Sequence, residues 1–154
     1  MDAIAVLKKD HQEAESLFKQ FERAPKNRKK ARKRIVKEIV EELSHHADLE
    51  EQIFYPAVQD ATKKAEPVEE AFEEHDLVKK LLKELMQMEP DQDRFDAKVA
   101  VLIAHTRAHV KKEERVLFPM LRRGLKRSQL DDLGTRLEEG KKALRKPRDY
   151  LNRG

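Results

Sequence analysis

Cysteine and tryptophan are absent from this 154-residue chain, glycine occurs four times, and aromatic residues make up 5%. Without thiols there can be neither disulfides nor thiolate metal sites. A metal would have to be held by His, Asp or Glu, a donor set that suits iron, manganese or zinc. No apolar run approaches the ~20 residues that a membrane-spanning helix needs. The amino-terminal residues Met1-Asp2-Ala3-Ile4 lack the basic segment and apolar stretch of an export signal, so the expectation is a soluble, cytoplasmic protein. Aromatic residues do not interleave with the basic ones, which leaves no stacking platform for nucleic acid. The basic runs 26–34, 122–127 and 141–148 carry much of the net charge of +4. They are read as solvated loops and helix ends, not as contacts to nucleic acid or anionic lipid.

What is abundant is charge, at 42% beside 38% hydrophobic residues, the mix of helices with charged outer faces. The length is that of one domain. Helix one is predicted from about Asp2 to Arg23, with the seam Ile4, Leu7, His11, Ala14, Phe18 and Phe21, ending before Pro25. Helix two carries Ile35, Val36, Ile39, Leu43, His46, Glu50, Ile53 and Ala57 on one face, and Pro56 is expected to kink or end its last turns. Helix three begins at Pro67 and presents Val68, Phe72, His75, Val78, Leu82 and Leu85. Helix four, capped by Asp91 or Asp93, carries Phe95, Val99, Leu102, His105, Thr106, His109, Glu113, Val116 and Met120, and ends at Gly124. Short turns between such helices favour an all-α fold, an up-down-up-down four-helix bundle over residues 1–124. Residues 125–154 are read as a short fifth amphipathic helix with Leu130, Leu133, Leu137 and Leu144, weakened by Gly134 and Gly140. A basic tail, 146–154, expected to be partly disordered, follows it.

One pattern occurs twice. His46 to Pro56 and His109 to Pro119 both read H-x-x-x-E-E-x-x-apolar-aromatic-P. A His and a Glu four apart lie on one face of a helix, about 6 Å from each other, so each copy could offer two ligands to one metal. A third candidate, preceded by an acid, stands upstream of each copy: Asp10-His11 before His46, and Glu74-His75 before His109. Two similar hairpins facing each other across a pseudo-twofold axis would bring two imidazoles and one carboxylate from each half together. Heights agree with this. His11 lies 12 residues before the first turn and His46 lies 16 after it, and His75 and His109 show the same four-residue offset across the last turn. At about 1.5 Å per residue that offset is about 6 Å, which side chains and a metal pair can span. A cation would also account for Glu50 and Glu113 in core positions, where an unpaired carboxylate would protonate.

The full pattern, His11, His46-x-x-x-Glu50, His75 and His109-x-x-x-Glu113, covers residues 2 to about 123 and resembles the hemerythrin-like, or HHE cation-binding, family. The resemblance implies two irons inside the bundle, bridged by Glu50, Glu113 and an oxo or hydroxo group, with His11 and His46 on one metal and His75 and His109 on the other. Oxygen-carrying members have a second His four residues after the helix-three ligand; here that residue is Lys79. Each metal would then keep five ligands and one open position. His105, four before His109, is either a further ligand or a hydrogen-bonding neighbour of the carboxylates. Glu114, where oxygen carriers place a bridging Asp, is the alternative to Glu113.

The function expected from this resemblance is action on peroxide, oxygen or nitric oxide. Its most concrete form is catalase-like hydrogen peroxide disproportionation, an oxidoreductase activity against oxidative stress. The alternative is a reversible oxygen or nitric oxide binder, or an iron- or oxygen-sensing module without catalysis.

Overall fold

The computed structural model describes residues 1–144; the expected disorder of the tail 146–154 concerns residues outside the described ones. The first rod is α1 (Ala3–Arg23), and the second joins α2 (Lys29–Leu49) to α3 (Tyr55–Thr62) through a π-helical turn, Glu50–Phe54. The third is α4 (Glu66–Met86). The fourth joins α5 (Phe95–Lys112) to α6 (Phe118–Gly124) through a second π turn, Glu113–Leu117, and α7 (Arg127–Leu144) follows. The first four rods form the up-down-up-down bundle, and among the described residues there is no strand. No described helix is long and apolar enough to cross a membrane.

Local chemistry explains most boundaries. Asp2 caps α1 by accepting from the Ala5 N–H at 2.8 Å, and the helix ends at Ala24, before Pro25. Neither Asp91 nor Asp93 caps α5; Arg94, in the left-handed region at φ 72°, stands at its N-cap. The basic run 26–34 is not wholly solvated either. Arg32 is buried, donates to the Ala24 carbonyl at 3.0 Å and to Asp96 at 2.6 Å, and lies 4.2 Å over the Phe21 ring. It thereby ties the end of α1 to α5.

Pro56 neither ends its helix nor leaves the seam in phase. The Tyr55 N–H bonds to the Glu50 carbonyl and the Phe118 N–H to the Glu113 carbonyl, five residues back in each case. Each wide turn adds one residue, just before the proline that lacks an N–H. The buried face therefore shifts. Phe54, Tyr55 and Val58 are buried where Ile53 and Ala57 were expected, and Leu117, Phe118 and Leu121 are buried while Val116 is exposed. Met120 stays buried.

Two apolar clusters fill the interior. One holds Ala14, Phe18, Ile39, Leu43, Val78, Val99 and their neighbours; the other holds Ile4, Leu7, Phe54, Val58, Val68, Phe118 and the leucines of α7. Between them lies a buried polar layer of Asp10, His11, Glu50, His75, Thr106, His109 and Glu113. Helix α7 packs on this end, and its glycines are where contact is closest. A Cβ on Gly134 would stand 2.2 Å from the Met1 carbonyl oxygen, and one on Gly140 would stand 2.8 Å from Leu49 Cδ2. These residues weaken the helix and permit its close packing.

Candidate metal centre

The site is built from one turn of each bundle helix. His46 and Glu50 share a face of α2 and its π turn, with Nε2 to Oε1 at 3.2 Å, and His109 and Glu113 repeat this on α5 at 3.1 Å. The upstream histidines reach across the bundle: His11 Nε2 lies 3.1 Å from Glu113 Oε1, and His75 Nε2 lies 3.2 Å from Glu50 Oε1. Two groups of donors result, His11, His46, Glu50, Glu113 and Glu50, His75, His109, Glu113, the atoms of each lying within 4.8 Å of one another. The two carboxylates are common to both. All six sequence-predicted candidates thus converge on one place.

Every Nδ1 faces outward to a carboxylate. His11 donates to Glu114 at 2.7 Å, His46 to Asp10 at 3.2 Å, His75 to Glu51 at 2.8 Å and His109 to Glu74 at 3.1 Å. Because an ionised carboxylate can only accept, each Nδ1 carries a proton, and Nε2 is the nitrogen turned to the centre. This is the environment of a metal-bound imidazole. The pattern obeys the pseudo-twofold. The acid before each upstream His serves the other His of its own half, and the second Glu of each Glu-Glu pair serves the opposite half. Three of the four acids are held in turn by lysines: Asp10 by Lys141 of α7, Glu51 by Lys79 at 2.8 Å, and Glu74 by Lys112 at 3.2 Å.

Glu114 accordingly belongs to neither donor group and lies outside His11. His105 also lies outside both groups, with a buried Nε2 that has no hydrogen-bond partner among the described residues. Lys79 points to Glu51.

The residue missed in the sequence is Tyr55. Fully buried, its hydroxyl lies 2.9 Å from Glu113 Oε2, 2.9 Å from His75 Nε2, 3.2 Å from Glu50 Oε1 and 3.3 Å from His109 Nε2. Five residues after Glu50 it would leave the α-helical face; the π turn restores it. Phe118 occupies the equivalent place in the other half, stacked on His11 at 5.8 Å, so the phenol is present on one side only.

Electrostatics favour charge separation here. Burial opposes ionisation of Glu50, but His46 together with hydrogen bonds to its neighbours holds the carboxyl well below its usual range. Burial likewise opposes protonation of His109, and its bonds to Glu113 and Glu50 override it, raising the group to about 11. The Tyr55 phenol is pushed far up by burial and by the charges of Glu50 and Glu113. At the centre, Glu50 Oε2 has no hydrogen-bond partner among the described residues, and His46 Nε2, although 3.2 Å from Glu50 Oε1, makes no aligned hydrogen bond there. Unsatisfied nitrogen and oxygen donors aimed into a common space fit a pair of borderline-to-hard divalent or trivalent cations.

A hemerythrin HHE cation binding domain model matches residues 2–121. A solved structure of a hemerythrin HHE cation binding domain-containing protein from Mycobacterium kansasii is similar, at 25% identity and TM-score 0.81, covering 94% of this chain and 87% of that one. A DNA nickase of Nostoc sp. is 28% identical over 102 residues, 66% of this chain, and the match spans 29% of that longer protein. With the family match extending over every donor and the fold shared along nearly the whole length, this chain belongs to the hemerythrin HHE cation-binding family.

Proposed function

We propose that this chain holds two irons between Glu50 and Glu113 and disproportionates hydrogen peroxide. The observation that carries the substrate class is a cavity of about 30 Å³ beside the donors, walled by Ala14, Leu43, Ala47, Val78, Thr106 and Val110. It has room for about one or two water-sized molecules and none for an organic substrate. His11 and His46 would hold one iron and His75 and His109 the other, with both carboxylates bridging. The outward carboxylates fix each ring so that Nε2 stays aimed inward without a reorientation cost. Tyr55, whose hydroxyl donates to Glu113 here, would add an oxygen donor on the His75 and His109 side. Phe118 adds none opposite, so the His11 and His46 side would keep the open position, in place of the two equal ones expected from Lys79.

The approach is one-sided as well. A groove of about 820 Å³ between α1 and α5 shares His11, Ala14 and Val110 with the inner cavity. In the α2–α4 seam Lys79 binds Glu51, whereas the residue equivalent to Lys79 in the α1–α5 seam is Glu15. Glu15 and Glu114 line the same groove, and Glu15 is held by Arg107 at 2.8 and 2.9 Å. Paired irons supply two-electron chemistry, by which one peroxide is reduced to two waters while a second gives up two protons and two electrons and leaves as dioxygen.

Protein purified from iron-supplemented cells should carry two irons per chain, absorb as an oxo-bridged pair and release oxygen steadily when peroxide is added. His46→Ala or Glu113→Ala should lose the stoichiometric metal, and two metals retained in both variants would overturn the donor set. Two irons with a reversible spectral change under oxygen or nitric oxide, and no oxygen release, would make the protein a binder.

A further inference from the structure

We propose that Lys141 of α7 is a positioning residue of the metal centre: through Asp10 it holds the His46 ring, so that docking of α7 and binding of metal strengthen each other. Asp10, 2% exposed, accepts from His46 Nδ1 at 3.2 Å through one carboxylate oxygen and from the Lys141 ammonium through the other. Its other neighbours are acids. Carboxylate oxygens of Asp10, Glu13 and Glu42 lie within 4.8 Å of one another, and Lys141 Nζ, 3.9 Å from Glu13, is a cation seated among them. A buried charge needs a partner. With the ammonium gone, Asp10 would face Glu13 and Glu42 unshielded, and its hold on the imidazole would weaken.

The other half of the bundle shows why this lysine comes from α7. Glu74, the pseudo-twofold mate of Asp10, is held by Lys112 of α5, and Glu51 is held by Lys79 of α4. The residue equivalent to Lys112 in the first half is Leu49, which is buried and carries no charge. Gly140 packs on Leu49 so closely that a Cβ there would stand 2.8 Å from Cδ2, and this contact sets the next residue, Lys141, on Asp10. Helix α7 thus supplies the cation that α2 lacks, although it lies beyond the residues 2–121 that the family model matches.

This inference rests on the metal reading above, and the test separates the two. Ferrous iron affinity is measured anaerobically by chelator competition on wild type, Lys141→Met, Asp10→Asn and the double variant. Methionine keeps a long apolar side chain and removes the ammonium. Lys141→Met should bind iron at least about fivefold more weakly, the lower end of typical coupling between linked sites. In the Asp10→Asn background the same substitution should cost little, because the lysine acts through that carboxylate. By reciprocity, iron should slow amide hydrogen exchange along α7 of the wild type. Wild-type iron affinity in Lys141→Met would overturn the role of Lys141 and leave the donors standing. An equal loss in both backgrounds would make α7 a structural brace and overturn the role too. So would exchange along α7 that iron leaves unchanged, a result that needs no variant to fold. Wild-type protein that holds no iron would overturn this role together with the metal reading.

Discussion

Replacing Tyr55 by Phe removes one oxygen and leaves the ring. The ring is held at 5.5 Å from Phe54, 5.3 Å from Phe72 and 5.2 Å from His75, contacts that phenylalanine keeps. What is lost in the metal-free protein is the 2.9 Å hydrogen bond donated to Glu113, together with the 2.9 Å contact to His75 Nε2. A buried hydrogen bond to a charged group contributes about 1.5–3 kcal/mol. In a chain of this size each kcal/mol moves the melting temperature by about 2–4 °C, so a loss of ~2 kcal/mol should lower it by roughly 4–8 °C. In the iron-loaded protein the expected change is spectroscopic. A phenolate oxygen on ferric iron gives a visible charge-transfer band, which Tyr55→Phe should abolish while the chain still carries both irons. Thermal unfolding of the metal-free variant and the visible spectrum of the loaded one check both halves. An unchanged spectrum at unchanged iron content would refute Tyr55 as a donor, and an unchanged melting temperature would refute the hydrogen bond to Glu113.

Glu74→Ala deprives His109 Nδ1 of its acceptor and should weaken metal binding by about 10–100-fold; competition with a chelator measures it, and wild-type affinity would count against the orienting role. Gly134→Ala should destabilise the protein although alanine is the better helix former, because the new Cβ would meet the Met1 carbonyl oxygen at 2.2 Å. The overpacking cost of about 1–3 kcal/mol outweighs a helix gain of ~1 kcal/mol, and a raised urea midpoint would contradict the docking of α7 on α1. Without metal, His109 is raised to about 11 and His46 and His75 are raised as well, against burial, by their carboxylates. The stabilisation from these groups is complete below the unfolded value of ~6.5 and lost as pH rises through the folded values, so the metal-free urea midpoint should fall between pH 7 and 11. Metal must displace these protons, so chelator competition should show tighter binding at pH 8 than at pH 6; a flat profile would argue against His109 as a donor.

By itself the sequence determined the helical class, the seams of α1 and α4, and the six candidate donors that the fold brings together. Their repeat, H…H-x-x-x-E twice, is local enough that a 3.6-residue period places His46 with Glu50 and His109 with Glu113. The same period misplaced most of the seam after those glutamates. Each π turn adds one residue, which leaves Ile53 half-buried at the edge of the core, exposes Val116 and brings Phe54 and Leu117 in. The signal was present in Pro56 and Pro119, each six residues after a donor Glu. A proline there offers no N–H to the carbonyl four residues back, and that freed ladder can widen or break; only packing selects widening. Tyr55 became a site residue through that choice.

The carboxylates on the imidazoles show the other limit. Asp10, Glu51 and Glu74 stand out in the sequence only as neighbours of the donors, and Glu114 only as an alternative to Glu113, among 30 acidic residues. Which nitrogen each one meets depends on contacts such as His11 with Glu114, 103 residues apart, and His75 with Glu51, 24 apart. Arg32 under Ala24 and Lys141 on Asp10 are likewise products of helix placement. A helix pattern states which face is buried. Where two buried faces meet, and which polar atoms are left without a partner there, is decided by the tertiary packing, because it depends on distances between segments that the chain alone leaves free.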